Sequence, residues 1–181
     1  MAHADDAIHG ATLNFVRGAM KRALLTRERE FELARSWRET GDQTSLHELI
    51  NAYTRLVIAT ATRFRHYGLP FGDLIQEGNL GLMHAAARFE PEREVRFSTY
   101  AAWWIRSQMQ DFILRNWSIV RTGTTAAHKS LFFNLRRLRA RIDNGAGPAQ
   151  LTPEQRQRIA TELGVTLKDV ADMEGRLAAA D

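Results

Sequence analysis

Apolar positions recur at helical spacing along almost the whole chain, and no period-two alternation lasts long enough to build a sheet. The pattern predicts an all-α protein. A first helix is predicted from about Thr26 to Glu39, with Phe31, Ala34 and Trp37 on one face and Gly41 after its end. Ser45 and Glu48 have capping-box spacing ahead of Leu46, Leu49, Ile50, Tyr53, Leu56 and Val57, a helix that Gly68 and Pro70 terminate. Asp73 and Gln76 repeat that spacing and predict a third helix ending before Pro91. Ser98 or Thr99 is placed to cap a fourth, running to about Trp117.

After a break around 122–125, a fifth helix is predicted through Leu131, Phe132, Leu135, Leu138 and Ile142. It stops at Asn144, Gly145, Gly147 and Pro148, the best candidate for an inter-domain linker. Thr152, Pro153, Glu154 and Gln155 then supply a cap, a proline at the first helical position and an acceptor at the third. Gly164 ends that helix and Thr166 caps another, the layout of a helix-turn-helix. Taken alone this signature is weak, because many small helical domains turn on a glycine.

Composition narrows the class only a little. The 181 residues are 44% hydrophobic and 25% charged, ordinary for a globular protein, and four prolines and twelve glycines leave long stretches free for helix. The absence of cysteine removes disulfides, thiol nucleophiles and cysteine-ligated zinc, and fits a reducing compartment. No apolar run approaches a membrane span of roughly 18 residues, and the N-terminus lacks a signal-peptide layout, so a cytoplasmic protein is expected.

Charge changes the picture more. The net +4 divides into +8 over residues 96–141, nine basic side chains against Asp111 alone, and −4 over the rest. A basic middle between acidic flanks is the electrostatic footprint of a polyanion partner, although arginines also coat solvated helix faces. Inside it, Phe97, Tyr100, Trp103 and Trp104 lie within eight residues, with Arg96 and Arg106 interleaved. On a helix, successive residues are rotated about 100° apart, so the two tryptophans cannot point at the same core. Aromatic stripes usually pack inward. Adjacent tryptophans beside arginine and free of acid make a better stacking platform than a packing ridge.

The stretch Asp73-Leu-Ile-Gln-Glu-Gly-Asn-Leu-Gly-Leu-Met83, followed by Arg96-Phe-Ser-Thr-Tyr-Ala-Ala-Trp-Trp-Ile-Arg106, resembles regions 2.2 to 2.4 of the bacterial sigma-70 family of RNA polymerase sigma factors. His128-Lys-Ser-Leu-Phe-Phe-Asn-Leu-Arg-Arg137 resembles the box that marks its heat-shock (sigma-32-like) branch. Asn116-Trp117 and the stretch from Glu162 to Glu174 are similar to that branch too. The resemblance implies an N-terminal arm over 1–22, a region 1.2/2 helical bundle over 23–121, a basic connecting helix and linker over 122–147, and a small region 3 domain with helix-turn-helix character over 148–181.

It also implies partners and roles. Asp73, Leu74, Gln76, Glu77, Gly78, Asn79 and Leu82 match the face that docks on the clamp coiled coil of the largest subunit of core RNA polymerase, with Gly78 and Gly81 allowing close backbone approach. The next helix meets promoter DNA, both duplex and melted non-template strand. Tyr100 stacks on the first flipped base with Phe89, Arg93 and Phe97 beside it, and Trp103 and Trp104 wedge at the fork. Arg96, Ser98, Thr99 and Arg106 belong to the same surface, and Ser107 and Gln110 face the remaining duplex. Gln110 is chemically able to contact adenine bidentately, and equally able to be a solvated helix glutamine. Arg121, Lys129, Arg136, Arg137, Arg139 and Arg141 either contact upstream phosphates or are simply solvated. Chaperones or a regulatory protease are further partners; no membrane, metal or cofactor is implied.

The sequence departs from the family in places. Val95 replaces an aromatic common in primary sigma factors, Tyr53 an asparagine of the downstream base pocket, and Thr125 and His128 the readers of extended minus-ten promoters. The family continues into a C-terminal domain that reads the minus-thirty-five element, whereas this sequence stops at Asp181, as a fragment or a natural short form. An enzyme is not expected, because no metal-spaced pair, activated nucleophile or paired-acid motif stands out. Two alternatives stay open: a decoy that occupies the clamp without melting DNA, and a helix-turn-helix regulator using residues 152–178 without polymerase.

Overall fold

The computed structural model describes residues 14–117, 125–142 and 151–180, all-helical apart from turns, with no strand among them. A helical stretch at 14–20 precedes α1 (Arg27–Thr40), α2 (Gln43–Phe64), α3 (Phe71–Arg88), α4 (Phe97–Trp117), α5 (Ala126–Ile142), α6 (Pro153–Leu163) and α7 (Leu167–Ala180). They form two compact units, Met1–Trp117 and Ser118–Asp181, so α5 belongs with the two helices that follow it. The predicted linker at 144–148 lies outside the described residues, as do most of the arm and of the 122–125 break. No helix among the described residues is long and apolar enough to cross a membrane.

In the first unit the helices appear where the pattern places them, but several caps differ. Thr26 caps α1 by accepting from Arg29 N at 3.2 Å, and Gly41 closes it in the left-handed region with φ 70°. The buried face of α1 is Glu30, Leu33 and Ala34; Phe31 is exposed and Trp37 only half-buried. A search for apolar spacing skips a buried carboxylate and so rotates the predicted face. Asp42, not Ser45, caps α2: its carboxylate accepts from Thr44 N at 3.1 Å and Ser45 N at 3.0 Å, which leaves Ser45 buried inside the first turn. These bonds hold the Asp42 carboxyl below its usual range, the Ser45 hydroxyl first among them. α3 begins at Phe71 after Pro70, with no side-chain cap, and Asp73 lies in its first turn, where a carboxylate favours the positive helix end.

The core of this unit is the contact of α3 with α4. Phe97, Ala101, Ile105, Met109 and Ile113 of α4 are buried at every fourth position, a continuous ridge. It runs against Gly78 and Gly81 of α3. A Cβ at Gly81 would lie 2.8 Å from both Ile105 Cα and Trp104 O, and one at Gly78 would meet Met109 Cε and stand 2.7 Å from Val57 Cγ1. The close backbone approach expected of these glycines is therefore made inside the chain. Gly81→Ala collides with backbone and is expected to cost about 1–3 kcal/mol or more, lowering the melting temperature by about 4–8 °C per kcal/mol. Gly78→Ala meets side chains only, a Met109 end that can swing away and a stiff, buried Val57 that resists, so its loss is the smaller of the two. Thermal unfolding followed by circular dichroism gives the order, and equal losses would show that the α3–α4 approach is looser than described.

The second unit buries Leu131, Phe132 and Leu135 of α5 together with Ile159, Ala160, Val170, Met173 and Leu177. The capping box at α6 forms as predicted: Thr152 N donates to Gln155 Oε1 at 2.9 Å and Gln155 N to Thr152 Oγ1 at 3.3 Å. Gly164 turns the chain at φ 63°, and Val165 N donates to Ala160 O at 3.0 Å. Thr166 and Asp169 then cap α7 reciprocally, at 2.9 Å and 3.1 Å. Buried Glu174 ties the start of α6 down, accepting from Leu151 N and Arg156 Nε, both at 2.7 Å.

Thr166, and after it His128 with its ring 3.4 Å away, hold the Asp169 carboxyl below its usual value. A depressed carboxyl stabilises the fold above its unfolded value near 3.9 and loses that contribution as pH falls through the folded value. Asp169→Asn is therefore expected to flatten the acid limb of a stability profile from roughly pH 5 downward. Urea midpoints of the two proteins that fall in parallel through that range would show that Asp169 carries no such linkage.

Candidate functional site

The ridge that anchors α4 also decides what it shows. With Phe97, Ala101 and Ile105 inward, Tyr100 and Trp104 lie half-buried along the flank of the ridge, and Trp103 projects from the other side. An aromatic series runs outward from the core. Tyr53 and Phe89 each meet Phe97 edge-on at 5.2 Å, Phe89 meets Tyr100 at 5.7 Å, Tyr100 meets Trp104 at 6.3 Å, and Trp103 stands at 89° to Trp104 at 5.4 Å. Trp103 at its end is 64% exposed. Trp104 is half-buried beneath the Arg88 guanidinium, 5.0 Å from the ring centre, with His84 edge-on at 6.0 Å. Its Nε1 is shielded from solvent and has no hydrogen-bond acceptor among the described residues.

Some expected surface residues lie elsewhere. Phe97 is fully buried on the ridge, and Phe89, which follows the last residue of α3, is nearly so; Phe97 packs on Phe89 and Phe89 on Tyr100, so they support Tyr100 from beneath. Arg96 is committed to an ion pair with Glu30 at 2.7 Å. Arg93 is exposed and pairs with Glu90 at 2.6 Å, a surface bridge of the kind worth little. With Phe89, Pro91 and Val95, it walls a cleft of about 510 Å³ against Arg27 and Phe31 of α1. Arg106 is exposed and has no ion pair among the described residues. Ser98 and Thr99 lie in the first turn of α4 and do not cap it. Ser107 and Gln110 are half-buried and follow Trp103 at helical spacing. Tyr53 is buried, and Val95 is exposed.

On α3, the residues expected to form one docking face divide between the core and the surface. Leu74, Gly78 and Leu82 are buried in the core. Asp73 and Gln76 are exposed and Asn79 half-buried, while Glu77 accepts from Gln108 Nε2 at 3.2 Å and faces Arg115 at 3.5 Å. The apolar groups that do face outward are Leu80, 45% exposed, and Met83, 50% exposed. Asp73, Gln76, Leu80 and Met83 follow at steps of three, four and three, one stripe down the helix. The glycines carry the signal that locates it: if Gly78 and Gly81 face a packed neighbour, this stripe lies opposite.

In the second unit, Lys129 is half-buried; Arg121 and the side chains of Arg136, Arg137, Arg139 and Arg141 lie outside the described residues. His128 bridges Thr125 and Asp169. Among the described residues no group of three or more His, Asp or Glu is placed to hold a metal ion.

Residues 49–119 match the family model described as Sigma-70 region 2. The chain is 44% identical over 172 residues to the RNA polymerase sigma factor RpoH of Caulobacter vibrioides, covering 95% of this chain and 58% of that protein. It is 46% identical over 154 residues to RpoH of Rhizobium radiobacter, covering 85% and 51%. It is 43% identical over 159 residues to the RNA polymerase sigma-C factor of Myxococcus xanthus, covering 87% and 53%. The chain spans about half the length of the relatives it matches.

Proposed function

This chain belongs to the sigma-70 family, in its heat-shock branch, and from that premise we propose that it docks on core RNA polymerase through α3 and captures the melted minus-ten strand on α4 to start transcription at heat-shock-type promoters. The family is one of initiation factors rather than catalysts. What must be accounted for is how DNA opens without nucleotide hydrolysis.

Opening costs about 1.4 kcal/mol of stacking per base-pair step. Base-aromatic stacking returns about 1–3 kcal/mol per base, and phosphate contacts add a share that salt weakens. Binding energy is thus comparable with the cost of starting a melt. Tyr100, backed by Phe89 and Phe97, offers a ring to the first unstacked base. Trp103 and Trp104, set at right angles, offer one ring to the fork and one to the strand. Arg106 and Arg93 offer charge to phosphates, and Ser107 and Gln110 reach toward duplex. On α3, Leu80 and Met83 ringed by Asp73, Gln76 and Asn79 have the composition of a helix-docking patch, apolar anchors within a polar rim.

The observation that carries the reading is Trp103. Its ring stands largely in water on a helix whose opposite side is locked into the core. Leaving a large apolar side chain exposed forgoes about 1.5–3 kcal/mol, a cost that a stacking partner recovers. The test is a pull-down with core polymerase, followed by permanganate footprinting on a heat-shock-type promoter. Retention of polymerase with reactive minus-ten thymines is the expected result. Retention without opening identifies a decoy, and tight duplex binding without polymerase identifies an independent helix-turn-helix regulator.

A further inference from the structure

Glu30 is only 3% exposed, on a helix face where the pattern asks for an apolar residue. A buried carboxylate is tolerated when its charge and lone pairs are answered. Here Arg96 donates from Nη2 to Oε1 and from Nε to Oε2, both at 2.7 Å, a fork-to-fork pair. The same Oε2 accepts from Phe97 N at 3.4 Å. The carboxylate therefore sits at the start of α4, where the first N–H groups lack helical partners and the helix dipole favours an anion. Arg96 Nη2 also donates to Leu25 O at 3.2 Å, fastening the entry of α1 to the same point. From Phe97 the contact passes through Phe89 to Tyr100.

An arginine matched by a buried carboxylate brings no net charge to a phosphate and releases no counterion. We propose that Glu30 is the positioning residue of the strand-capturing helix: it caps α4 from α1 and withholds Arg96 from DNA, so that this arginine sets the pose of Tyr100 instead of gripping a phosphate. The proposal rests on the reading of α4 as the DNA-facing helix.

Salt dependence separates the roles, because each neutralised phosphate contributes about 0.7 to the slope of log affinity against log salt for single strands and about 0.9 for duplex. The protein, assembled with core polymerase, is titrated with fork-junction DNA carrying a single-stranded minus-ten segment. Arg106→Gln is expected to flatten the slope by about 0.7–0.9. Arg96→Gln leaves it at the wild-type value while reducing opening, and Glu30→Gln steepens it by about the same increment as Arg96 is freed.

If Arg96→Gln flattens the slope as Arg106→Gln does, Arg96 is a phosphate ligand and the proposal is overturned. Should the glutamine variants fail to fold, Arg96→Lys keeps the charge and loses the fork. Reduced opening at unchanged slope then supports the positioning role, and wild-type opening overturns it. A slope that none of these substitutions alters, Arg106→Gln included, removes α4 from the DNA and the underlying reading with it.

Discussion

Replacing Trp103 and Trp104 together by alanine is expected to leave the affinity for core polymerase unchanged and to abolish promoter opening. Both rings lie on α4, away from the Asp73, Gln76, Leu80, Met83 stripe of α3, so docking loses nothing directly. Each ring returns about 1–3 kcal/mol on stacking, against about 1.4 kcal/mol per opened step. Losing two of them is worth at least roughly 30-fold in the open-complex equilibrium. Trp104 also packs under Arg88 and against Tyr100, so the double variant melts somewhat earlier, whereas Trp103→Ala alone, at an exposed position, does not. Permanganate reactivity of the minus-ten thymines reports the loss. Undiminished reactivity in the double variant would remove the wedge from the mechanism.

Leu80→Glu with Met83→Glu is expected to have the second large effect, loss of polymerase binding by roughly 100-fold or more with folding intact. Centrally buried anchors in interfaces are each worth about 2 kcal/mol or more, and a carboxylate in their place adds desolvation. Both side chains are about half exposed, so the free protein has little to lose. Leu74→Ala and Leu82→Ala behave oppositely: both residues are fully buried, and truncation is expected to cost about 2–5 kcal/mol of stability. Titration with labelled core polymerase beside a melting curve separates the classes. Wild-type affinity in the Leu80/Met83 variant would mean that polymerase docks on another face.

The contrast between those leucines shows what a sequence of this kind can and cannot tell. Period and punctuation were enough for the succession of helices, and local chemistry was enough for the Thr152–Gln155 box and the Gly164 turn. The facing of each helix was harder. α4 carries apolar residues all round, with Ala102, Trp103, Trp104, Phe112 and Leu114 outside the buried ridge, so amphipathicity does not single out a side. α3 has two apolar stripes, and only the glycines distinguish the one that packs. The resemblance implies that α3 docks, without saying which of its residues are spent on its own core. The cap of α4 was beyond local reading altogether. Ser98 and Thr99 have the right chemistry at the right place, yet the acceptor comes from Glu30, far away in the chain and inside a face expected to be apolar.

Capture of unstacked bases by the aromatic edge of α4 predicts a specific difference between two DNAs. Wild-type protein assembled with core polymerase, titrated at one salt concentration with a duplex promoter and with the same promoter carrying an unpaired non-template minus-ten strand, should bind the unpaired form more tightly. The advantage expected is roughly tenfold for each step that the duplex has to open. Equal affinities for the two would mean that no unstacked base is being held, and would contradict the account.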